Sequence, residues 1–417
     1  MSKKIVIIGG GIIGLCSAYY LLKDGHDVTI IDKSDMRSGA SYVNAGYITP
    51  SHIIPMASPG MISKGLRYMF NSSSPFYMKP RLDIDFLKWA WYFKKSSTKE
   101  KVEKAIPLIR DINILSRELF FDIKSSGDLG KFHLERKGLL MYYQTQAEGD
   151  HELEIAEKAK FLGLEVNELD RNGIKKIEPN VSVNAIGAVH YECDGHTTPN
   201  EFMEKMMAYL LKKDVRICKN EEVIDLVISN GKITSIKTDK NDYQADEVMF
   251  AAGSWTSSLA KKLRISLPIE AGKGYRIDVE KPTGISMPAI LMEAKMAVTP
   301  MAGFTRFAGT MEFSGINSKI RKARVNAIAE NASKFYEGLK ISKEERAEAK
   351  YGLRPVTPDG LPYIGKSNKY KNLVIATGHA MMGWSLGPVT GKLVSQLISN
   401  TKTELAIEAL SPERRFR

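Results

Sequence analysis

The run Lys4-Ile5-Val6-Ile7-Ile8-Gly9-Gly10-Gly11-Ile12-Ile13-Gly14-Leu15-Cys16-Ser17-Ala18-Tyr19-Tyr20-Leu21-Leu22 decides how the rest of the chain is read. Ile5 to Ile8 are β-branched and apolar, as a strand buried on both faces requires. Gly9, Gly11 and Gly14 follow at G-x-G-x-x-G spacing, and Leu15 to Leu22 reads as a helix that Gly25 stops. Val28-Thr29-Ile30-Ile31 is a second strand, ending at Asp32. Gly9 permits the tight turn, Gly11 lets a pyrophosphate approach the backbone, and Gly14 lets the helix lie close to the strand. The helix N-terminus offers N–H groups and partial positive charge to phosphates. Asp32 is placed to accept a ribose hydroxyl, and Lys33 stands beside it. Strand, glycines, helix, strand and acid in this order predict dinucleotide binding. The acid disfavours a 2′-phosphate, hence NADP, but does not separate FAD from NAD.

Outward from that unit, 417 residues at 43% hydrophobic allow two or three domains with full cores. The three cysteines are too few and scattered for a disulfide framework, and no C-x-x-C occurs. This suits a reducing compartment, and the expected location is the cytoplasm. No metal ligands are assigned. No apolar run is long enough to span a bilayer, and the apolar start is better explained by the glycine fingerprint than by a secretory signal. The net charge of +12 comes from dispersed lysines and arginines, without an arginine-rich tract or RNA-binding signature. A solvated basic surface is therefore expected rather than a nucleic-acid site.

After Asp32 the segment from Ser38 to Pro50 is small, polar and glycine-punctuated. It reads as a loop leaving the end of the second strand, so Ser41, Asn44, Ala45 and Gly46 are expected at the cofactor. Aromatics and Met then gather with Lys and Arg, at Gly65–Phe70 and at Phe86–Lys95. The second piece reads as a helix, packed in a core or lying at the inner face of a membrane. Helices are expected over 99–126, 147–162, 200–213 and 324–339, with a short one ending at Pro179. Strands are expected over 139–143, 185–192, 216–218 and 274–279. Val223–Ile228 and Ile233–Thr238 form a hairpin about Asn230-Gly231, and 297–300 pairs with 305–310.

Four motifs together resemble the D-amino-acid oxidase superfamily of FAD enzymes, nearest its small bacterial D-amino-acid dehydrogenases. They are the N-terminal fingerprint, Ala251-Ala252-Gly253-Ser254-Trp255, the run Gly352-Leu353-Arg354-Pro355-Val356-Thr357-Pro358-Asp359-Gly360 onward to Gly365, and Thr377-Gly378-His379-Ala380-Met381-Met382-Gly383-Trp384-Ser385. Asn44-Ala45-Gly46, Thr198-Pro199-Asn200 and the terminal Ser411-Pro412-Glu413-Arg414 look like that branch. The resemblance implies an α/β fold: a Rossmann-like FAD-binding domain (1–50, 185–264, 346–417) interleaved with an α+β substrate domain (51–184, 265–345) carrying a mostly antiparallel sheet.

The same resemblance implies the site. Val223, Gly253, Gly378, Met382, Gly383, Trp384 and Ser385 match cofactor positions, with a helix beginning near Thr377–Ser385 and aimed at the flavin. Arg354 matches a carboxylate-binding arginine, whose planar fork suits bidentate pairing. Tyr275 matches a carboxylate-binding tyrosine, His379 lines the flavin edge, and His52 is a further pocket residue. Gly352 stands where sarcosine-type relatives carry a flavin-bonding cysteine, so FAD is expected to be non-covalent. Ala380-Met381-Met382 replace a second arginine of glycine-oxidase relatives, so the pocket is expected to be more apolar. The implied reaction is oxidation of a D-amino acid, or a cyclic D-imino acid such as a proline derivative, with a quinone or other electron acceptor. A glycine- or sarcosine-type oxidase using O2 and a tRNA-modifying flavoprotein are the alternatives.

Overall fold

The opening strand forms over Lys4–Ile8 with every residue after Lys4 buried; the computed structural model describes residues 1–60, 76–79 and 81–416. The strand lies inside a six-stranded sheet ordered Arg216–Cys218, Asp27–Ile31, Lys4–Ile8, Glu247–Phe250, Leu373–Thr377, Tyr363–Lys366. All neighbours are parallel except the last pair. The chain leaves Lys4–Ile8 to one side, for Asp27–Ile31, and returns much later on the other side as Glu247–Phe250. That reversal opens a crevice at the carboxyl ends of these strands, where open α/β sheets bind ligands.

The helix Ile12–Lys23 covers this sheet and crosses the helix Gly387–Ser399 at close range. Gly14 and Gly391 make both contacts fit. A Cβ on Gly14 would lie 1.9 Å from the Gly9 carbonyl oxygen, and one on Gly391 would lie 2.5 Å from the Cys16 backbone. Gly14 therefore serves helix packing. The hairpin Val223–Ser229 with Lys232–Thr238 forms as read, with positive φ at both Asn230 and Gly231 as a two-residue turn demands.

A second sheet of nine strands runs in the order Lys350–Val356, Glu270–Val279, Phe304–Phe313, Met296–Met301, Ala289–Leu291, Leu139–Tyr143, Gly187–Tyr191, Val166–Asp170, with Phe76–Met78 beside Phe304–Phe313. Two of its pairings are parallel, Ala289–Leu291 with Leu139–Tyr143 and Phe304–Phe313 with Phe76–Met78; the others are antiparallel. The sequence-based boundaries need correction here. Gly187–Tyr191 and Lys350–Val356 fall in the segments expected to form the FAD-binding domain, yet both hydrogen-bond within the second sheet. Short apolar strands carry no local mark of which sheet they will join.

The helix Ile84–Ser96 buries Phe86, Trp89 and Phe93. Trp89 packs on Phe313, and its indole N–H donates to the Val356 carbonyl at 2.8 Å. Its other face exposes Ile84, Leu87 and Trp91 beside Lys94 and Lys95. The aromatic run Gly65–Phe70 lies outside the described residues. Among the described residues, no helix is long and apolar enough to cross a membrane.

Two predictions follow from this packing. Gly391→Val forces side-chain atoms into the Cys16 backbone and should cost about 1–3 kcal/mol, read as a lower Tm and lower flavin content. Asp194 is fully buried, accepts from the Ser51 N–H at 2.9 Å and its hydroxyl, and burial pushes its pKa up to about 7. Between about pH 4 and pH 7 the folded state holds this proton and the unfolded chain does not, so Asp194 contributes less stability as pH rises. Asp194→Asn should therefore melt at a temperature that improves, relative to the parent, from pH 5 to pH 8.

Candidate active site

A cavity of about 880 Å³ runs from the first glycine turn to the end of the nine-stranded sheet. At the glycine end, Gly9 adopts φ +114°, and a Cβ there would lie 2.4 Å from the Ala251 carbonyl oxygen. The turn and the end of Glu247–Phe250 are thus in backbone contact. The Gly10 N–H donates to Asp32 Oδ2 at 2.7 Å, while Ser34 donates N–H and O–H to Oδ1 at 2.8 and 2.7 Å. Oδ2 keeps a lone pair for a further donor. Helix Ile12–Lys23 has no cap from its own Gly11. Instead the Ile12 N–H donates to Ser41 Oγ at 3.0 Å, which draws the 38–46 segment over the helix N-terminus. Lys33 lies over the Trp255 ring at 4.3 Å, and both line the cavity with Val223 and Gly253.

Of the expected cofactor residues, Gly9, Gly11, Asp32, Lys33, Ser41, Asn44, Ala45, Val223, Gly253, Met382, Gly383, Trp384 and Ser385 line this cavity. Gly14, Gly46 and Gly378 do not. Gly46 has φ +80° and its Cβ would strike the Thr197 carbonyl oxygen at 2.1 Å; Gly378 has φ +80° and its Cβ would meet Thr357 Cγ2 at 2.4 Å. These glycines serve chain crossings. The expected helix start also needs correction. The cavity faces a 3-10 turn, Ala380–Gly383, whereas helix Gly387–Ser399 begins against Ile12 and Cys16.

At the far end, Lys350–Val356 brings Arg354 under the cavity beside Gly274, which lacks a side chain where a Cβ would lie 2.2 Å from Arg354 Nη1. Nη1 donates to the Thr310 carbonyl at 3.0 Å. No carboxylate pairs with Arg354 among the described residues, and burial alone draws its pKa down to about 10. It remains a cation at neutral pH, beneath the protein surface with its open face on the cavity. It is the only arginine among the described lining residues.

Thr310, which no local pattern singled out, holds this arrangement. The register between Glu270–Val279 and Phe304–Phe313 shifts here, and Thr310 takes φ +69°, rare for a β-branched residue. The bulge aims its carbonyl at Arg354 and leaves its hydroxyl without a partner among the described residues. Tyr47, also missed, lines the cavity while its hydroxyl is tied to Ala289 and Val298.

Tyr275 is among the residues that line the cavity, yet its hydroxyl is engaged elsewhere. Its ring packs in the core behind the sheet with Ile277, Val279 and Ala332, and its hydroxyl donates to Glu312 at 2.8 Å. Glu312 also meets Arg324 and Arg321. Strand alternation puts this ring on the face opposite Arg354, so its hydroxyl is not offered to the cavity. His379 and His52 line the cavity as expected. Burial lowers their pKa values to about 3 and about 4, so both are neutral at physiological pH. His379 Nε2 lies 3.0 Å from Thr390 Oγ1. Met56, Met296, Met311, Met381 and Met382 add apolar, adaptable surface to the cavity lining, and Met311 Sδ lies 3.9 Å from Arg354 Nη1.

A flavin dinucleotide fits this donor set. Buried polar atoms of Thr310 and Trp384, both on lining residues, lack partners among the described residues. A Cβ on Gly352 would lie 2.3 Å from Val43 Cγ2 and 2.9 Å from Ala40 Cα. No side chain at 352 could reach a flavin without moving that loop.

The chain is 31% identical over 422 residues to a D-amino acid dehydrogenase of Bradyrhizobium diazoefficiens, covering 99% of this chain and 98% of that one. It is 29% identical over 406 residues to a D-amino acid dehydrogenase of Helicobacter pylori, covering 97% of each. Among solved structures, glycine oxidase from Geobacillus kaustophilus superposes with a TM-score of 0.79 at 21% identity, over 99% of both chains. L-Proline dehydrogenase from P. horikoshii gives 0.74 at 20% identity, over 99% of this chain and 97% of that one. The family model described as DAO, FAD dependent oxidoreductase, matches residues 4–397, and the chain belongs to that family of FAD-dependent oxidoreductases.

Proposed function

We propose that this enzyme oxidises a D-amino acid, or a cyclic D-imino acid, at the Cα–N bond, using non-covalent FAD. The observation that carries the reading is Arg354: a half-buried guanidinium with no acidic partner among the described residues, lining the cavity at the nine-stranded sheet. A buried cation without a counter-ion is costly unless a ligand supplies the charge. A substrate carboxylate does so through charge-assisted hydrogen bonds. The bound flavin supplies the two-electron acceptor for the Cα hydrogen. The protein's own part is positional: Arg354 fixes the carboxylate, the Thr310 carbonyl fixes Arg354, and the methionine wall excludes water from Cα. His379 and His52 are neutral, so neither repels a protonated amine nor binds the carboxylate as a cation. The methionines, and the absence of a second arginine among the described lining residues, favour a substrate with an apolar side chain.

Anaerobic mixing of the yellow protein with a panel of D- and L-amino acids should bleach the flavin with apolar D-substrates first. No bleaching by any amino or imino acid would remove the proposal. Arg354→Met should raise KM for the amino acid about 100-fold or more, as the loss of two charged hydrogen bonds requires. Weak oxidation of the corresponding decarboxylated amine should be unchanged.

The exposed Ile84, Leu87 and Trp91 beside Lys94 and Lys95 support peripheral contact with an anionic membrane, from which a quinone acceptor would be reached. Sedimentation with anionic vesicles should fall in Leu87→Ser/Trp91→Ser, with dye-linked turnover preserved.

A further inference from the structure

A second group of reactive side chains lies outside the cavity, on a small sheet of three strands, Tyr47–Ile48, Gly195–Thr197 and Leu134–Glu135. His196, in its middle strand, is cross-strand partner to Tyr47 on one side and Glu135 on the other. Its side chain is fully buried, and among the described residues neither ring nitrogen has a hydrogen-bond partner of good geometry, although the Pro300 backbone interacts with the ring. A buried polar group left in this way requires an explanation, and a missing ion is one.

The geometry around it is convergent. His196 Nε2 and His133 Nε2 each lie 3.7 Å from the same oxygen, Glu135 Oε2. The three candidate ligand atoms all stand within 4.8 Å of one another. His133 Nδ1 is held 2.9 Å from Thr198 Oγ1, which also accepts the Ala302 N–H. That contact fixes the ring with Nε2 turned toward the carboxylate, the outer-shell arrangement that metal-binding histidines use. Ligand atoms about 2.1 Å from a tetrahedral Zn2+ stand about 3.4 Å apart, so the two His–Glu135 separations of 3.7 Å need only a few tenths of an ångström, while the widest separation, within 4.8 Å, would close by up to about 1.4 Å through rotation of the His133 ring. Access exists as well. Glu135 reaches the surface, and a half-exposed lysine, Lys137, sits 2.7 Å from the same Oε2, where a cation is already favoured.

We propose that His133, Glu135 and His196 bind one divalent ion of the Zn2+ class, with solvent completing the coordination where Lys137 now lies. Two imidazoles and one carboxylate select such an ion over Mg2+ or Ca2+, which prefer all-oxygen shells. The ion would clamp Leu134–Glu135 to Gly195–Thr197. Through the Tyr47–His196 pairing it would brace the wall of the flavin cavity, which Tyr47 lines. Its role is stability of that wall rather than chemistry on the substrate.

The test uses untagged, flavin-loaded protein, stripped with a chelator and titrated with ZnCl2 or MgCl2. Calorimetry and metal analysis after desalting should give one zinc per chain, a raised Tm and no magnesium binding. Glu135→Gln and His133→Gln should each weaken zinc binding at least about tenfold and lose the zinc-dependent rise in Tm. Both should keep the parent's flavin spectrum. Lys137→Met should tighten it. Substoichiometric zinc, or equal affinity in Glu135→Gln and the parent, would show instead a packed imidazole pair capped by Lys137.

Discussion

The structure depends on one close approach: the glycine turn at residue 9 lies against the backbone at Ala251 with no room for a Cβ. That contact brings the carboxyl ends of two strands from distant parts of the chain into one crevice. Asp32 then receives the Gly10 N–H, and Ser41 reaches back to cap Ile12. Each hydrogen bond draws another segment toward the same point. The cavity is what remains between backbones that cannot come closer.

Its other wall is made by a different constraint. A bulge in Phe304–Phe313 holds Thr310 at positive φ, and the displaced carbonyl binds Arg354. Backbone strain of this kind persists only where the surroundings over-determine it, and it gathers at functional sites. Here the surroundings are a wide sheet pairing on both sides of Glu270–Val279. The two walls share no local sequence, yet they face one another because strands from the C-terminal third join both sheets. Lys350–Val356 enters the nine-stranded sheet, and Leu373–Thr377 enters the six-stranded one.

Tyr275 and Arg354 show where reading a sequence succeeds and fails. Both lie on paired neighbouring strands, and both were assigned to a carboxylate. Arg354 lines the cavity, held by the Thr310 carbonyl and given room by Gly274. Tyr275 differs because alternation along two strands in unbroken register puts it on the face opposite Arg354, where Glu312 takes its hydroxyl. Gly46 and Gly378 illustrate the same limit. A glycine required for φ or for a chain crossing looks, in sequence, like a glycine required for a ligand.

The sequence by itself determined the dinucleotide-binding unit, the hairpin at Asn230-Gly231, the long helices and the family, because these rest on local periodicity and turn chemistry. The tertiary structure alone decided which sheet Gly187–Tyr191 joins, which face Tyr275 presents, the strained Thr310, and the meeting of His133 with Glu135 and His196. Those outcomes follow from pairing between segments far apart in the chain. Burial and hydrogen bonding over the whole fold choose that pairing, and no short window of residues contains it.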